Sequence, residues 1–360
     1  MVAYIREMSV VRRRWLEEDT FKDGVALVQA VPGAMAMQAA AYVGLKARGV
    51  RGALASYIGF GLPAFVLMLA FSILYTHAHG QPAAVSLFAG LQVIVVAIVA
   101  NATFTFGKEI LTGWRAVLLA AAAGLLLWLG VSPFFVIIGA ALAGITLYFN
   151  VSGEKAVVGP APRSRFNPAP VALLFGLLAA AMASLFVFRR QLFYLAELML
   201  RIDLFAFGGG FASLPLMLFE VVHVHSWIDS NTFMNGIALG QVTPGPIVMT
   251  TTFVGYLAFG LAGAFVATAA VFTPSFLTIV VVTPFYDKLK SAPWFSRATR
   301  GILASFVGLL AYVTLKFALA VPWSPLKIVL AAAALAALIK KVDILYVVLT
   351  GAAVSLLLLR

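Results

Sequence analysis

Two short proline–glycine segments stand out because each interrupts a long apolar run. They read Pro32-Gly33 and Pro244-Gly245-Pro246. Proline removes a backbone donor and clashes with the preceding helical turn, while glycine lets the backbone approach a ligand or another helix closely. At membrane depth such a break survives only where protein or a cavity satisfies the freed backbone groups. The pattern favours anion binding by backbone amides at the ends of broken helices, with a simple helix kink as the alternative.

Neutral polar side chains flank both breaks and supply hydrogen-bond donors. Together with the N-termini of half-helices, they would hold a desolvated oxyanion without a permanent countercharge. Each of these side chains is alternatively a hydrogen-bonding group between packed helices. We predict that the substrate-binding residues are Gln29, Pro32, Gly33, Gln241, Thr243, Pro244, Gly245, Pro246 and Thr250.

A glycine triplet precedes the second break, in Phe207-Gly208-Gly209-Gly210. Consecutive glycines are poor helix formers and expose successive N–H groups, which is typical of an anion-binding turn. Close helix packing is the alternative explanation. We add all four residues, Phe207, Gly208, Gly209 and Gly210, to the predicted substrate site.

Three ionisable residues, Arg201, Asp203 and Glu220, lie on either side of the glycine triplet in otherwise apolar sequence. Charged groups are costly within a membrane, so by default they line a transport pathway or pair with one another. Anchoring of Arg201 at the membrane interface is the alternative. We predict a pathway or a charge pair.

The sequence offers little for catalysis or metal binding. It contains no cysteine, which excludes disulfides, thiol catalysis and cysteine metal sites. The histidines form two H-x-H pairs in loops, without an acidic cluster nearby. We therefore predict no catalytic residue, no metal site and no cofactor. An intramembrane lipid-modifying enzyme is only a remote alternative, because its candidate acids are scattered: Glu109, Asp203, Glu220 and Asp229.

Long stretches without charge indicate a membrane protein. No Asp, Glu, Lys or Arg occurs in 53–107, 116–153, 166–188 or 230–286. Since about 20 apolar residues cross a bilayer as one helix, the chain is predicted to be all-α with about ten membrane segments. The net charge of +12 lies in short loops, where basic residues control topology, so it does not indicate nucleic-acid binding.

An internal duplication covers both breaks. The pattern W-x5-F-x2-G-x2-L-x-Q-x2-P-G begins at Trp15 and again at Trp227, 212 positions later. After a slip of one residue the match continues, so that Gly44, Gly49, Gly52, Pro63 and Phe65 correspond to Gly255, Gly260, Gly263, Pro274 and Phe276. Duplication in a membrane chain favours a transporter whose site lies where the two copies meet.

The two copies are predicted to be inverted in the membrane. The loop 44–52 contains Lys46, Arg48 and Arg51, whereas the matching loop 255–263 contains no basic residue. Basic residues after Tyr286 reverse this bias at the other end of the equivalent helices. Short basic loops stay in the cytoplasm, so equivalent helices should run in opposite directions.

The chain divides into a first repeat (1–150), a cytoplasmic linker (151–168) rich in proline and glycine, and a second repeat (169–360). One segment does not fit a simple count of membrane crossings. If 170–188 spans the membrane, Arg189 and Arg190 come to the outside. Either this segment lies in the interface, or the proline–glycine segments cross the membrane differently.

These motifs together resemble the chromate ion transporter family in its long, two-domain form. The resemblance rests on FGGG-x-A-x-x-P-L-M, Glu220, Trp227, L-G-Q-x-x-P-G-P, the glycine series from Gly255 and Pro274, and it covers essentially the whole chain. Family members usually carry an apolar helix ending in F-G-G-P-A-M before the stretch equivalent to 2–15. This chain begins within that motif, so we expect its first half to lack a counterpart of Phe207–Gly210. Ala34 stands where the second copy has Pro246, so the two half-sites need not be equivalent.

The resemblance implies a multi-pass plasma-membrane protein that exports chromate and thereby confers chromate resistance. We expect a secondary transporter rather than an enzyme, with alternating access at the interface of the inverted repeats as one half rocks against the other. Transport of sulfate or another small tetrahedral oxyanion is the alternative. The expected partners are the oxyanion and the lipid bilayer, and a homodimer is compatible with the sequence.

Overall fold

The computed structural model describes residues 1–149 and 168–358, and its regular elements in these ranges are all helical. The predicted linker 151–168 lies outside the described residues except for Pro168. The first half contains α1 (Val2–Arg6, continued as a π-helix over Glu7–Arg12), α2 (Glu18–Ala30), α3 (Met35–Ala78), α4 (Pro82–Ile110), α5 (Trp114–Trp128) and α6 (Pro133–Leu147). The second half contains α7 (Ala169–Phe188), α8 (Arg190–Leu204), α9 (Ser213–Met217, continued as a π-helix over Leu218–Val224), α10 (Ser230–Val242), α11 (Thr250–Val282), α12 (Tyr286–Lys290), α13 (Pro293–Ala320), α14 (Pro325–Ile339) and α15 (Ile344–Leu358).

The helices confirm an all-α membrane protein. Five helical stretches are long and apolar enough to cross a membrane, and they include α3, α4, α7 and α13. A further five apolar helices are shorter. The α7 helix, over which the sequence leaves two alternatives, has 20 residues and no buried side chain, which suits a peripheral span facing lipid.

Two of the longest helices, α3 and α11, are in fact hairpins. The backbone leaves the helical region at Gly49 (φ 64°, ψ −156°) and at Gly260 (φ 63°, ψ −154°). The arms of α3 pack so tightly that Gly44 contacts the backbone of Gly52, and the Ser56 hydroxyl donates to the Ala40 carbonyl at 2.8 Å. We call the arms before and after each turn α3a (35–47), α3b (50–78), α11a (250–258) and α11b (261–282).

The chain also reverses at the proline–glycine segments, where the sequence suggested breaks within spanning helices. Gly24 of α2 contacts Tyr42 of α3a, and the Tyr42 hydroxyl donates to the Thr20 carbonyl at 3.2 Å. In the second half, a Cβ on Gly236 would lie 2.5 Å from the Phe253 ring. Helices α2 and α10 have 13 residues each. They are therefore about 20 Å long, shorter than the ~30 Å hydrocarbon core, and each hairpin enters the membrane and returns.

We call the two turns tip 1 (31–34) and tip 2 (243–246). Because a re-entrant hairpin begins and ends on one side of the membrane, the chain crosses fewer times than a simple count of apolar segments implies. With these two hairpins α7 can span, and the second repeat still begins on the opposite side from the first. The placement of Arg189 and Arg190 outside is then no contradiction.

Backbone geometry repeats with the same spacing as the sequence. Arg14 and Ser226, 212 positions apart, are both left-handed with φ of 51° and 50°, and each ends a π-helical turn. Thr103 of α4 and its equivalent Thr314 of α13, 211 positions later, share a hydrogen bond of 2.9 Å. Two equivalent side chains can meet only at the axis that relates the copies, so a pseudo-twofold axis passes between these hydroxyls.

The two repeats are interlocked. Helices α5 and α6 of the first repeat pack mainly on α13 of the second, while α14 and α15 pack on α4. Small residues make this possible, since Gly301 contacts the Ala140 carbonyl and Gly308 contacts the Ala120 carbonyl. Moving one sequence half as a rigid body against the other would break these contacts on both sides.

The turns at Gly49 and Gly260 predict a specific cost of substitution. A Cβ at either position meets no atom within 4 Å, so Gly49→Ala or Gly260→Ala would suffer backbone strain alone. Non-glycine residues rarely adopt this conformation, and we expect each variant to lose about 1–3 kcal/mol in free energy of unfolding. Gly59→Ala, on the exposed face of α3b with equally open space, is the control and should not lose stability. Thermal unfolding in detergent measures the difference; equal behaviour of all three variants would contradict the strain.

The absence of cysteine allows a direct test of the inverted topology. Ala47→Cys and Ala262→Cys occupy exposed positions beside the two equivalent turns. A membrane-impermeant maleimide should label them from opposite faces, because basic residues surround only the first turn. Ser291→Cys, in the basic segment after α12, should be labelled from the same face as Ala47→Cys. Labelling of both turns from one face would rule out the inversion.

Candidate functional site

Three chain breaks lie next to one another in the structure. The Gly33 N–H of tip 1 donates to the Ala206 carbonyl at 3.0 Å, so tip 1 is joined to the segment 205–210 that contains the glycine triplet. Beyond it, a Cβ on Gly209 would lie 3.3 Å from Met35, and one on Gly210 would lie 2.8 Å from Ile247, the residue that follows tip 2. The glycine segment therefore lies between the two tips, and the structure brings most of the predicted site residues together.

Each tip also docks on the long arm of the other repeat. A Cβ on Gly245 would lie 2.5 Å from the Ala64 methyl of α3b, and Gly33 contacts the Ser275 hydroxyl of α11b. Ala64 and Ser275 are 211 positions apart, and each directly follows the proline that the repeat conserves within its long arm. Glycine is required at both tips because a side chain there would push the tip off the opposite helix.

A buried polar cluster surrounds tip 1. The Ser275 hydroxyl accepts the Ala34 N–H at 3.1 Å, and the Asp203 carboxyl accepts the Ser275 N–H at 2.7 Å. The Gln38 amide donates to the Pro32 carbonyl at 2.6 Å. The side chains of Gln38, Asp203 and Ser275 are at most 1% exposed. Side chains from α3a and α11b thus satisfy backbone groups that the break leaves free, and Asp203 of α8 binds the backbone of Ser275 on α11b.

Unpartnered polar atoms concentrate at the tips. Within 1–149 and 168–358, the buried side-chain atoms without a hydrogen-bond partner are Gln38 Oε1, Asp203 Oδ1 and Gln241 Nε2. Buried polar atoms are nearly always paired in folded proteins, so each exception needs an explanation. Two of the three belong to the cluster at tip 1 and the third is two residues before tip 2, which indicates a site built for something more than packing.

The two half-sites differ in polarity. At tip 2, Pro246 takes the place of Ala34 and has no N–H to donate, and Ala64 takes the place of Ser275 and has no hydroxyl. Tip 2 is therefore held to the opposite helix by apolar contact, and tip 1 by hydrogen bonds. The two tips therefore keep the same backbone arrangement, but the residues that hold them in place differ in chemistry.

Some predicted donors are already used. The Thr243 hydroxyl donates to the Gly240 carbonyl at 2.8 Å, and the Thr250 hydroxyl donates to the Ile247 carbonyl at 2.8 Å. A hydroxyl has one proton, so neither donor is available to an anion in this conformation. Gln29 and Pro244 are exposed, and Gln29 lies on α2 before the tip rather than in the cluster.

Arg201 and Asp203, predicted to line a pathway or to form a charge pair, do not pair with each other. Arg201 contacts Glu197, one turn earlier on α8, at 3.3 Å, and its guanidinium lies 4.4 Å above the Phe134 ring. Asp203 points the other way, into the cluster, because residues two positions apart on a helix face roughly opposite sides. Glu220 is 7% exposed and lies 3.8 Å from His225.

The predicted site lacks three residues that the structure places in the cluster, Gln38, Ser275 and Tyr57. The Tyr57 hydroxyl of α3b donates to the Phe272 carbonyl of α11b at 2.7 Å, one turn before Ser275. The signal for Ser275 was its position after a proline matched in both repeats. Nothing in the spacing indicates Tyr57, because its partner is more than 200 residues away.

An apolar cavity of about 520 Å³ lies beside the tips, between α3b and α11b. Equivalent residues of the two repeats both line it, for example Met37 with Met249 and Phe65 with Phe276. An oxyanion needs donors that this lining largely lacks, so the cavity is not the oxyanion site.

Comparison with known proteins agrees with the repeat. The family model described as "Chromate transporter" matches residues 1–145 and 193–356. The uncharacterized transporter MJ0718 of Methanocaldococcus jannaschii is 42% identical over 360 residues, which cover 99% of this chain and 89% of that protein. The chromate transport proteins of Cupriavidus metallidurans and Pseudomonas aeruginosa are 27% and 29% identical, covering 86% and 87% of this chain and 75% of each relative. No solved structure matches. With a family model that covers both repeats, and with helices that fit a multi-pass membrane protein, the chain belongs to the chromate transporter family.

Proposed function

We propose that the protein is a secondary transporter of the plasma membrane that exports chromate and binds it where tip 1, tip 2 and the glycine segment meet. The single observation that carries this proposal is the convergence of three chain breaks around a buried site with unpartnered polar atoms. Chromate is the substrate class named for relatives of this chain.

Backbone amides are the donors best placed for the anion. Helix α3 begins at Met35 directly after tip 1, and a short 3-10 helix begins at Ile247 directly after tip 2 and continues into α11. Neither N-terminus has a side-chain cap. After tip 2 the Met249 N–H already donates to the Pro246 carbonyl at 2.9 Å, so the N–H groups left for a ligand are those of Ile247 and Val248 and the first turn of α3. Gly208 and Gly209, with φ of 100° and 90°, turn the backbone of the glycine segment between them. An oxyanion with several acceptor oxygens matches such a set of amides.

Basic residues near tip 1 suit an anion vestibule. A cavity of about 220 Å³ is lined by Lys290 and Arg300, by Ser296 and Thr299, and by Ala30, the last residue of α2. Cations at the mouth of a pathway raise the local concentration of an anion without holding it at the site. By the basic-loop argument this mouth faces the cytoplasm.

The membrane potential alone suffices to drive export. A dianion that leaves an inside-negative cell gains ~4.6 kcal/mol per ~100 mV, which corresponds to a gradient above a thousandfold. Because the repeats are interlocked, we infer that alternating access involves movement of the re-entrant hairpins against the long arms rather than rocking of whole sequence halves.

Gly245→Leu tests the placement of the site. Its side chain would collide with Ala64 and displace tip 2, so we expect chromate uptake by everted vesicles to fall at least about tenfold, equivalent to ~1.4 kcal/mol of lost binding. Gly59→Leu adds the same side chain to the exposed face of α3b, where a Cβ meets no atom within 4 Å, and should transport normally. Wild-type uptake by Gly245→Leu at equal expression would refute this placement.

A competition assay separates chromate from sulfate, the alternative cargo. Both are tetrahedral dianions that ask for the same donors, so we expect excess sulfate to reduce labelled chromate uptake by everted vesicles, with chromate itself the stronger competitor. Vesicles from cells without the protein are the control. If sulfate is taken up and chromate neither competes nor enters, the cargo assignment is wrong while the architecture stands.

A further inference from the structure

We propose that Asp203 is a proton-binding site of the transporter, and that its carboxyl is protonated whenever the oxyanion occupies the neighbouring tips. The proton then crosses the membrane in the same direction as the anion. This inference rests on the proposed function and adds a coupling ion to it.

The position of Asp203 is the first argument. It is the last but one residue of α8, immediately before the glycine segment, and is 1% exposed. Its Oδ2 atom accepts the Ser275 N–H at 2.7 Å, and the Ser275 hydroxyl in turn accepts the Ala34 N–H of tip 1. One hydrogen-bonded chain therefore links the carboxyl to the tip, without an intervening solvent-exposed group.

The second argument is that the Asp203 carboxyl lacks the partners that an ionised carboxylate needs. An ionised carboxylate in a protein interior needs a cation or several donors, but Asp203 Oδ1 has no partner. A proton on Oδ1 turns this acceptor into a donor. A second unpartnered acceptor, Gln38 Oε1, belongs to an amide whose nitrogen lies 2.7 Å from a Cβ placed on Gly33, the same glycine that contacts Ser275. A protonated Asp203 therefore needs no neighbouring cation, and it brings a hydrogen-bond donor to a cluster that contains an unpartnered acceptor.

The surroundings of Asp203 contain few other titratable groups. On α3b it faces the Tyr57 phenol, and on α11 the titratable residue is Tyr256, before the Gly260 turn. Helices α7 and α9 contribute none. On α8 itself, Arg201 and Glu197 pair with each other on the exposed side, and Glu220, His223 and His225 follow α9. Within the described residues, therefore, no cation is paired with Asp203 to hold it ionised.

Binding of a dianion beside this carboxyl supplies the coupling. Two negative species in a site of low dielectric repel strongly, so anion binding favours the protonated carboxyl and protonation favours anion binding to the same degree. On each cycle the proton is taken from water on the side where the anion enters. It is released to water on the side where the anion leaves, so each dianion moves with one proton and a net charge of about one negative unit. The electrical gain on export is then ~2.3 kcal/mol per ~100 mV, half that of the bare dianion.

Chromate binding to the purified protein in detergent gives the first test. Between about pH 7 and about pH 9, the wild-type affinity should fall by up to about tenfold per pH unit once the carboxyl loses its proton. Asp203→Asn keeps an oxygen for the Ser275 N–H and mimics the neutral acid, so its affinity should not change with pH and should exceed the wild-type affinity at the alkaline end. Glu197→Gln, a carboxylate-to-amide change on the exposed side of the same helix, should retain the wild-type pH dependence. A pH-dependent affinity in Asp203→Asn equal to that of the wild type would overturn the inference.

Proton movement in proteoliposomes gives a second test, in which the wild-type protein is compared with Asp203→Asn. With a chromate gradient and a pH-sensitive dye in the lumen, chromate entry should acidify the lumen, and Asp203→Asn should lose the acidification. Chromate flux without proton movement in the wild-type protein would overturn the role of Asp203 and leave the transport function intact. No chromate flux in the wild-type protein would instead overturn the proposed function itself.

Discussion

Backbone hydrogen bonding at membrane depth is the constraint on which the rest of this structure depends. A helix interrupted inside a bilayer exposes N–H and C=O groups that lipid cannot satisfy. Here the Gly33 N–H is taken by Ala206 and the Ala34 N–H by Ser275, both from the second repeat. The broken hairpin of one repeat is therefore stable only in the presence of the other, which explains why the two copies are interlocked rather than merely adjacent.

Interlocking in turn determines which residue types the long helices can carry. The positions after Pro63 and Pro274 receive the opposing tips, and only a small side chain fits there. The same holds where α13 crosses α5 and α6, since Gly301 and Gly308 bring helix backbones into contact. Close approach through small residues is the usual basis of helix association in lipid, where no hydrophobic effect separates one apolar surface from another.

Within this symmetric frame the two tips have different chemistry. Ser275, Asp203 and Gln38 make tip 1 polar, while Pro246 and Ala64 leave tip 2 without the equivalent hydrogen bonds. A duplicated protein is free to specialise its copies once both backbones are held in place. In this chain the ionisable group and the hydroxyl lie together at one tip, and the other tip has only apolar contact with the opposite helix.

The sequence alone determined the fold class, the duplication and the location of the chain breaks, because charge-free runs and a 212-residue offset are properties of order along the chain. It also indicated that Phe207–Gly210 and the two proline–glycine segments belong to one site. It could not show that the breaks reverse the chain, nor that Asp203 turns from Arg201 to Ser275, 72 residues away. Those outcomes depend on which distant groups satisfy a buried backbone amide or carboxyl, and only the packing of one repeat against the other decides that.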